Sequence, residues 1–143
     1  MTVKAILRNK GRTVTTVDPT ATLAAAIQLL NDHKIGALVV LGPEQRIAGI
    51  LSERDIVRTL AERGSAALDE PLAVSMTRKV STCREVDAVS AIMERMTTGK
   101  FRHLPVVEQE RLVGIISIGD VVKHRLHEME LESEALRDYI QTA

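Results

Sequence analysis

The spacing of apolar positions along this chain changes period several times, and the same order of periods occurs twice. In the first half a short extended piece, Arg12–Val17, precedes Leu23, Ala26, Ile27 and Leu30. These four fall at i, i+3, i+4 and i+7, the stripe of an amphipathic helix, and Thr20 or Thr22 is available as its N-cap. Two apolar runs follow, Ala37–Leu41 and Ile47–Leu51, joined by Gly42-Pro43-Glu44-Gln45. Short apolar runs bounded by turn residues predict strands. Another helix opens at Ser52. In the second half Lys79–Cys83 leads into Val89, Ile92, Met93 and Met96 at the same helical spacing. Strands Leu104–Val107 and Leu112–Ile116 follow across Glu108-Gln109-Glu110, and a helix opens at Ser117. Each half therefore reads β-α-β-β-α, and neither is expected to bury its helical faces alone.

The halves are copies. At an offset of 66, Val14 falls on Val80, Thr16 on Thr82, Ala25 on Ala91, Lys34 on Lys100, Leu38 on Leu104 and Val40 on Val106. One deletion in a turn makes the offset 65, and Gly49 then meets Gly114, Ile50 meets Ile115, Ser52 meets Ser117 and Asp55 meets Asp120. Register kept through a helix, two strands and a second helix marks an internal repeat. The organisation read from this is a first repeat with a lead-in helix (Val3-Lys4-Ala5-Ile6-Leu7) over 1–63, a linker over 64–71, a second repeat over 72–126 and a helical tail over 127–143. In and just before the tail, Leu126, Met129, Leu136 and Ile140, with polar Ser133 in the stripe, alternate at 3,4 spacing and form a coiled-coil-like seam flanked by Leu131 and Tyr139. Two heptads are too short to hold a dimer alone, so this helix either packs on its own domain or joins two copies.

Charge and composition narrow the chemistry. Lys plus Arg and Asp plus Glu both total 19, so the net charge is zero, without the basic excess that phosphate-backbone binding needs. Phe101 and Tyr139 are the only aromatic residues, too few to stack successive bases. No apolar run approaches a membrane span, and the chain reads as a soluble, cytoplasmic protein with no membrane or nucleic-acid partner. A single cysteine, Cys83, excludes an internal disulfide and a multi-cysteine zinc site; its apolar surroundings read as those of a small buried residue. The four histidines show no HExxH pattern, and no GxGxxG or GxxxxGK[ST] loop is present. Nothing assembles a nucleophile with a base, so an enzyme is not expected.

Two copies of Gly-Ile-[Leu/Ile]-Ser-x-x-Asp, with Ile35-Gly-Ala-Leu-Val-Val and Phe101-Arg-His-Leu-Pro-Val-Val, resemble the cystathionine-β-synthase (CBS) repeat. The tandem resembles a Bateman module of the small stand-alone bacterial type. The resemblance implies an α/β (α+β) fold in which two pseudo-symmetric β-α-β-β-α repeats pack as one module, followed by the C-terminal helix. It further implies clefts between the repeats for an adenosyl ligand, AMP first, with ADP, ATP, NAD(H) and S-adenosylmethionine as alternatives, and no required metal. A homodimer sensing energy or redox state and acting on a separate, unidentified effector protein is the corresponding expectation. A structural, dimerising module with degenerate clefts is the alternative.

Under that resemblance, Asp55 and Asp120 are candidates to accept hydrogen bonds from a ribose diol. Ser52 and Ser117 stand where a helix N-terminus favours phosphate, and Arg54, Arg102 and His103 could reach the same phosphate. Ile35, Ala37 and Ile50, or their mates Phe101, Leu104 and Ile115, would line the adenine slot, with Thr16 or Thr82 at its edge; Thr16 is paired with Asp120 and Thr82 with Asp55. Ser-x-x-Asp ahead of an apolar helix is equally a capping box, worth roughly 1 kcal/mol. The halves differ: Gly36-Ala37 stands where the second half has Arg102-His103, and Ile118-Gly119 where the first has Glu53-Arg54. Gly119 could let a ligand approach the backbone. The Asp120 copy is therefore the expected phosphorylated-ligand site.

Overall fold

The computed structural model describes residues 1–142. Val3, Ile6 and Leu7 share one face of α1 (Val3–Lys10) and are buried together; the helix stops at Gly11, whose φ of 98° suits a residue without Cβ. Of the two candidate caps for α2 (Leu23–His33), Thr22 serves, its hydroxyl accepting from the Ala25 N–H at 3.1 Å. Thr20 instead donates to Asp18 Oδ1 at 2.7 Å. The copy of α2 is α4 (Val89–Gly99), and both end on a lysine in the left-handed region, Lys34 at φ 54° and Lys100 at φ 57°. Those two lysines are the pair that the sequence overlay matched, so the repeat extends to an unusual backbone conformation.

The strands fall where the apolar runs lie. β1 (Thr16–Val17) pairs in parallel with β2 (Ala37–Leu41), Thr16 against Val39. β2 pairs antiparallel with β3 (Ile47–Ser52), Ala37 against Ser52 and Val39 against Ile50, giving a three-stranded sheet in the order β1-β2-β3. Leu38, Val39 and Val40 are fully buried in succession, so both faces of β2 are covered and its run shows no alternation. β4 (His103–Glu108) and β5 (Arg111–Ser117) form the second sheet. Lys79–Cys83, expected to be extended, contributes a single bridge, Cys83 beside Val106. Residues Ser65–Asp69, in the expected linker, form a 3-10 turn that buries Ala67.

Among the described residues there are five helices. α3 (Glu53–Arg63) follows β3, and α5 runs unbroken from Ile118 to Thr142. The helix expected to close the second repeat and the expected tail are therefore one rod.

The chain divides into two compact units. One comprises Met1–Arg12, Thr82–Glu108 and the chain from Gly114 through α5, with Val3, Ile6, Leu7, Ile92, Leu104 and Ile116 in its core. The lead-in helix α1 thus belongs with second-half elements. The other comprises Thr13–Ser81 and Gln109–Val113, with Leu23, Leu30, Leu38, Leu51, Leu72 and Met76 in its core. The repeated glycines of β3 and β5 each admit a close neighbour. A Cβ on Gly49 would lie 2.7 Å from Met76 Sδ and 2.8 Å from the Thr77 carbonyl, and one on Gly114 would lie 2.7 Å from Leu7 Cδ2.

Candidate functional site

The two Ser-x-x-Asp motifs both sit at a strand-to-helix junction, and both form caps. Ser52 precedes α3: its hydroxyl accepts from the Asp55 N–H at 3.3 Å, and Asp55 Oδ2 accepts from the Ser52 N–H at 3.0 Å and from the Ser52 hydroxyl at 3.1 Å. The other oxygen, Oδ1, accepts from the Arg58 guanidinium at 3.0 Å and from Thr77 Oγ1 at 3.1 Å. With four donors on two oxygens and only 4% of the residue exposed, Asp55 is enclosed and its acceptor capacity is largely used.

At the matching junction, Asp120 Oδ2 accepts from the Ser117 N–H at 2.9 Å, and the Asp120 N–H donates to the Ser117 hydroxyl at 3.2 Å. Here the partner from a distant part of the sequence is a cation. Lys10, the last residue of α1, donates from Nζ to Asp120 Oδ2 at 2.7 Å and to the Ile115 carbonyl at 3.0 Å. Burial pushes the Asp120 carboxyl up, but the Lys10 hydrogen bond, the Ser117 N–H and the Lys10 charge together hold it below the usual carboxylate range. Its side chain is 24% exposed, against 6% for Asp55. One motif has thus become two environments, a closed polar knot at Asp55 and an accessible ion pair at Asp120.

The remaining candidates are spread over both units. Arg102 is exposed just before β4, and its carbonyl accepts from the Ile118 N–H at 2.8 Å, tying that loop to the start of α5. His103 is half-buried as the first residue of β4, and Arg54 is exposed in the first turn of α3. Gly119 is exposed, and a Cβ there would meet only Ser117 Oγ at 3.6 Å, an ordinary contact, so packing does not demand glycine at this position. Ala37 and Leu104 are 5% and 0% exposed; they belong to the core, because each opens a run covered on both faces. Ile50, Phe101 and Ile115 are half-buried, Phe101 lying against Gly99. Thr16 is exposed on β1, and the Thr82 carbonyl accepts from Arg95 at 2.8 Å. Ile35 borders a groove of about 570 Å³ with Ile27, Leu30, Lys34, Gly36 and Ile56. In the other unit a groove of about 710 Å³ runs along α5, between Asn9 and Gly119, Val122, Lys123, His124 and Leu126.

Sequence reasoning missed Lys10, Thr77 and Arg58. Arg58 had a signal, its i,i+3 spacing from Asp55 on a helix. Lys10 and Thr77 had none, since each reaches its carboxylate only through the tertiary fold. Among the described residues no group of three or more His, Cys, Asp and Glu side chains is placed to hold a metal, and no helix is long and apolar enough to cross a membrane.

A strand-turn-helix with a Ser-x-x-Asp cap, occurring twice and carried on two small sheets, defines a tandem-repeat module. The chain belongs to the CBS domain family, whose model matches residues 3–62 and again 72–127. A crystal structure of a CBS-domain containing protein from Agrobacterium tumefaciens is 46% identical, with a TM-score of 0.85 over 87% of this chain and 99% of that one. Hypoxic response protein 1 of Mycobacterium tuberculosis is 37% identical over 87% of this chain and 85% of its own length. A CBS domain protein from Pyrobaculum aerophilum complexed with AMP is 28% identical, with a TM-score of 0.79 over 93% of this chain and 99% of that one.

Proposed function

We propose that this chain is a regulatory module that binds an adenosyl ligand, AMP foremost, and acts on a separate protein in the cytoplasm, with no reaction of its own. The observation that carries this reading is its likeness, along nearly the whole chain, to a CBS domain protein complexed with AMP. The environments of the two carboxylates favour the Asp120 copy as the site. Asp120 is accessible and remains ionised, as an acceptor for a ribose diol must, whereas Asp55 already holds four hydrogen-bond donors. Ser117 stands at a helix N-terminus, whose dipole attracts phosphate. Gly119 leaves the backbone approachable, and Arg102, His103 and Lys10 offer cationic or donor groups for the phosphate. The adenine would lie against Phe101 and Ile115 or their mates Ile35 and Ile50. The module works as a homodimer, and ligand binding shifts the population of its conformations toward the one the effector protein reads.

The test is a calorimetric and thermal-shift titration of wild type and Asp120→Asn with AMP, ADP, ATP, NAD⁺, NADH and S-adenosylmethionine. Asparagine keeps an oxygen for the cap but loses the charge. A ligand at about 100 times its dissociation constant stabilises by about 2.7 kcal/mol, several degrees in melting temperature. AMP is expected to stabilise wild type and to bind the folded variant at least about tenfold more weakly. No shift with any of the six at millimolar concentration would overturn nucleotide binding and leave a purely structural, dimerising module.

A further inference from the structure

Every residue of α5 from Met129 to Thr142 is exposed. The exposed residues include Leu126 at 56%, Met129 at 49%, Leu136 at 60% and Ile140 at 65%, all on one stripe. A helical segment of about 14 residues is marginal in water unless its apolar face is covered, and a continuous exposed apolar stripe marks an interaction surface.

We propose that the stripe is covered by α5 of a second copy of this chain, running parallel and in register over residues 126–140. This deepens the dimer proposed above and rests on that reading, but not on nucleotide binding. The charges beside the stripe choose the occupant and its direction. With Leu126, Ser133 and Ile140 at a and Met129 and Leu136 at d, the g positions hold Arg125 and Glu132, and the e positions hold Glu130 and Arg137. In a parallel pair each g residue faces the e residue five positions further along the partner. Arg125 then meets the partner's Glu130 and Glu132 meets the partner's Arg137, and the twofold symmetry doubles both attractive pairs. Ser133 faces its own copy at a central a layer, a polar match that fixes register.

Antiparallel pairing is poorer. Over the same stripe it sets e against e and g against g, so that Glu130 faces the partner's Glu130, Glu132 the partner's Glu132, and Lys123 the partner's Arg137. Slipping by one heptad brings Glu130 opposite the partner's Arg137 but leaves Leu126 outside the overlap. Within the chain Arg125 already lies over this face, 2.5 Å from Glu128 and 3.9 Å from Glu132. Glu128 also accepts from the N-terminal ammonium at 2.8 Å, so it keeps a cation when Arg125 turns to the partner.

The experiment uses the full chain. Analytical ultracentrifugation of wild type, Leu136→Asp, Glu132→Arg and the double variant Glu132→Arg/Arg137→Glu is combined with oxidative cross-linking of Ser133→Cys. Circular dichroism confirms that each variant is folded. We expect a wild-type dimer, a monomer for Leu136→Asp, a dimer weakened about tenfold for Glu132→Arg, and recovery in the double variant. The recovery separates the directions, because in the slipped antiparallel pair Arg137→Glu would oppose the partner's Glu130. Ser133→Cys should form a disulfide-linked dimer, since only the parallel in-register pair brings the two residues face to face. A wild-type dimer that survives Leu136→Asp would overturn the coiled coil while sparing the dimer. A monomeric wild type would overturn both. Failure of both the recovery and the cross-link would overturn the parallel direction.

Discussion

Replacing Asp55 by alanine should cost this protein about twice as much stability as replacing Asp120, although both residues close the same Ser-x-x-Asp box. Either change removes the N3 carboxylate of the box, which accepts from the N-cap serine N–H, worth about 1 kcal/mol, and leaves the serine cap itself in place. At Asp120 the only further loss is the pair with Lys10, whose two side chains are 33% and 24% exposed, so about 0.5 kcal/mol is added. At Asp55 the loss spreads further. Thr77 Oγ1 and the Ser52 hydroxyl lose a charged acceptor that is itself only 4% exposed. Thr77 is exposed and Ser52 half-buried, so water can replace part of the loss, and the two hydrogen bonds to a charged group together are worth about 1–2 kcal/mol. The Arg58 pair adds only about 0.5 kcal/mol, because the guanidinium is half exposed. The totals are about 1.5 kcal/mol for Asp120→Ala and about 3 kcal/mol for Asp55→Ala, a gap of several degrees in melting temperature. Urea unfolding followed by far-UV circular dichroism measures both, with unchanged m-values required for the comparison. Equal losses, or a larger one at Asp120, would refute the argument that enclosure separates the two carboxylates.

Three further outcomes follow from the same geometry. Because the folded state lowers the Asp120 pKa, that group's contribution is present above its unfolded value and lost as pH falls through the folded one. The stability gap between wild type and Asp120→Asn should therefore hold from pH 8 to 5 and close below about pH 4; a gap persisting at pH 2 would contradict the ion pair. Cys83, 2% exposed, has its thiol pushed up to about 12 by burial and by Asp87, against Arg95. It should resist Ellman's reagent at pH 8 until denaturant unfolds the chain, and prompt labelling of the native protein would show that this segment opens. Gly49→Ala should destabilise by about 2–3 kcal/mol and Gly114→Ala by about 1 kcal/mol in thermal unfolding. The reason is that the first Cβ meets the Thr77 carbonyl, held by the Ile50 N–H at 2.9 Å, while the second meets only the methyl groups of Leu7.

The elements were legible wherever local pattern decides them. Ala37–Leu41 emerged as read because an apolar run between a glycine and a Gly-Pro turn has few other fates. Thr22 and the two serines cap as a hydroxyl before an apolar helix should. Lys79–Cys83 was overread, since an extended segment becomes a strand only where a neighbour's edge is available, and only Cys83 finds one. The candidate site was legible as a motif but not as an environment. Asp55 and Asp120 are equivalent in sequence, and what separates them is Thr77 and Arg58 on one side and Lys10 on the other. Neither Lys10 nor Thr77 is near its carboxylate in the chain. The interface proposed for α5 is the reverse case: its charges are readable from the heptads, and the structure adds that the stripe is exposed.

The continuity of α5 has a mechanical consequence. Its 25 residues make an uninterrupted arm about 37 Å long, so a tilt of about 5° at one end sweeps the other through about 3 Å. The first turns of that arm are packed on α4 and α1 of the same unit, and its free part is the exposed stretch Met129–Thr142. A small tilt where that packing ends is therefore magnified at the far tip of the lever.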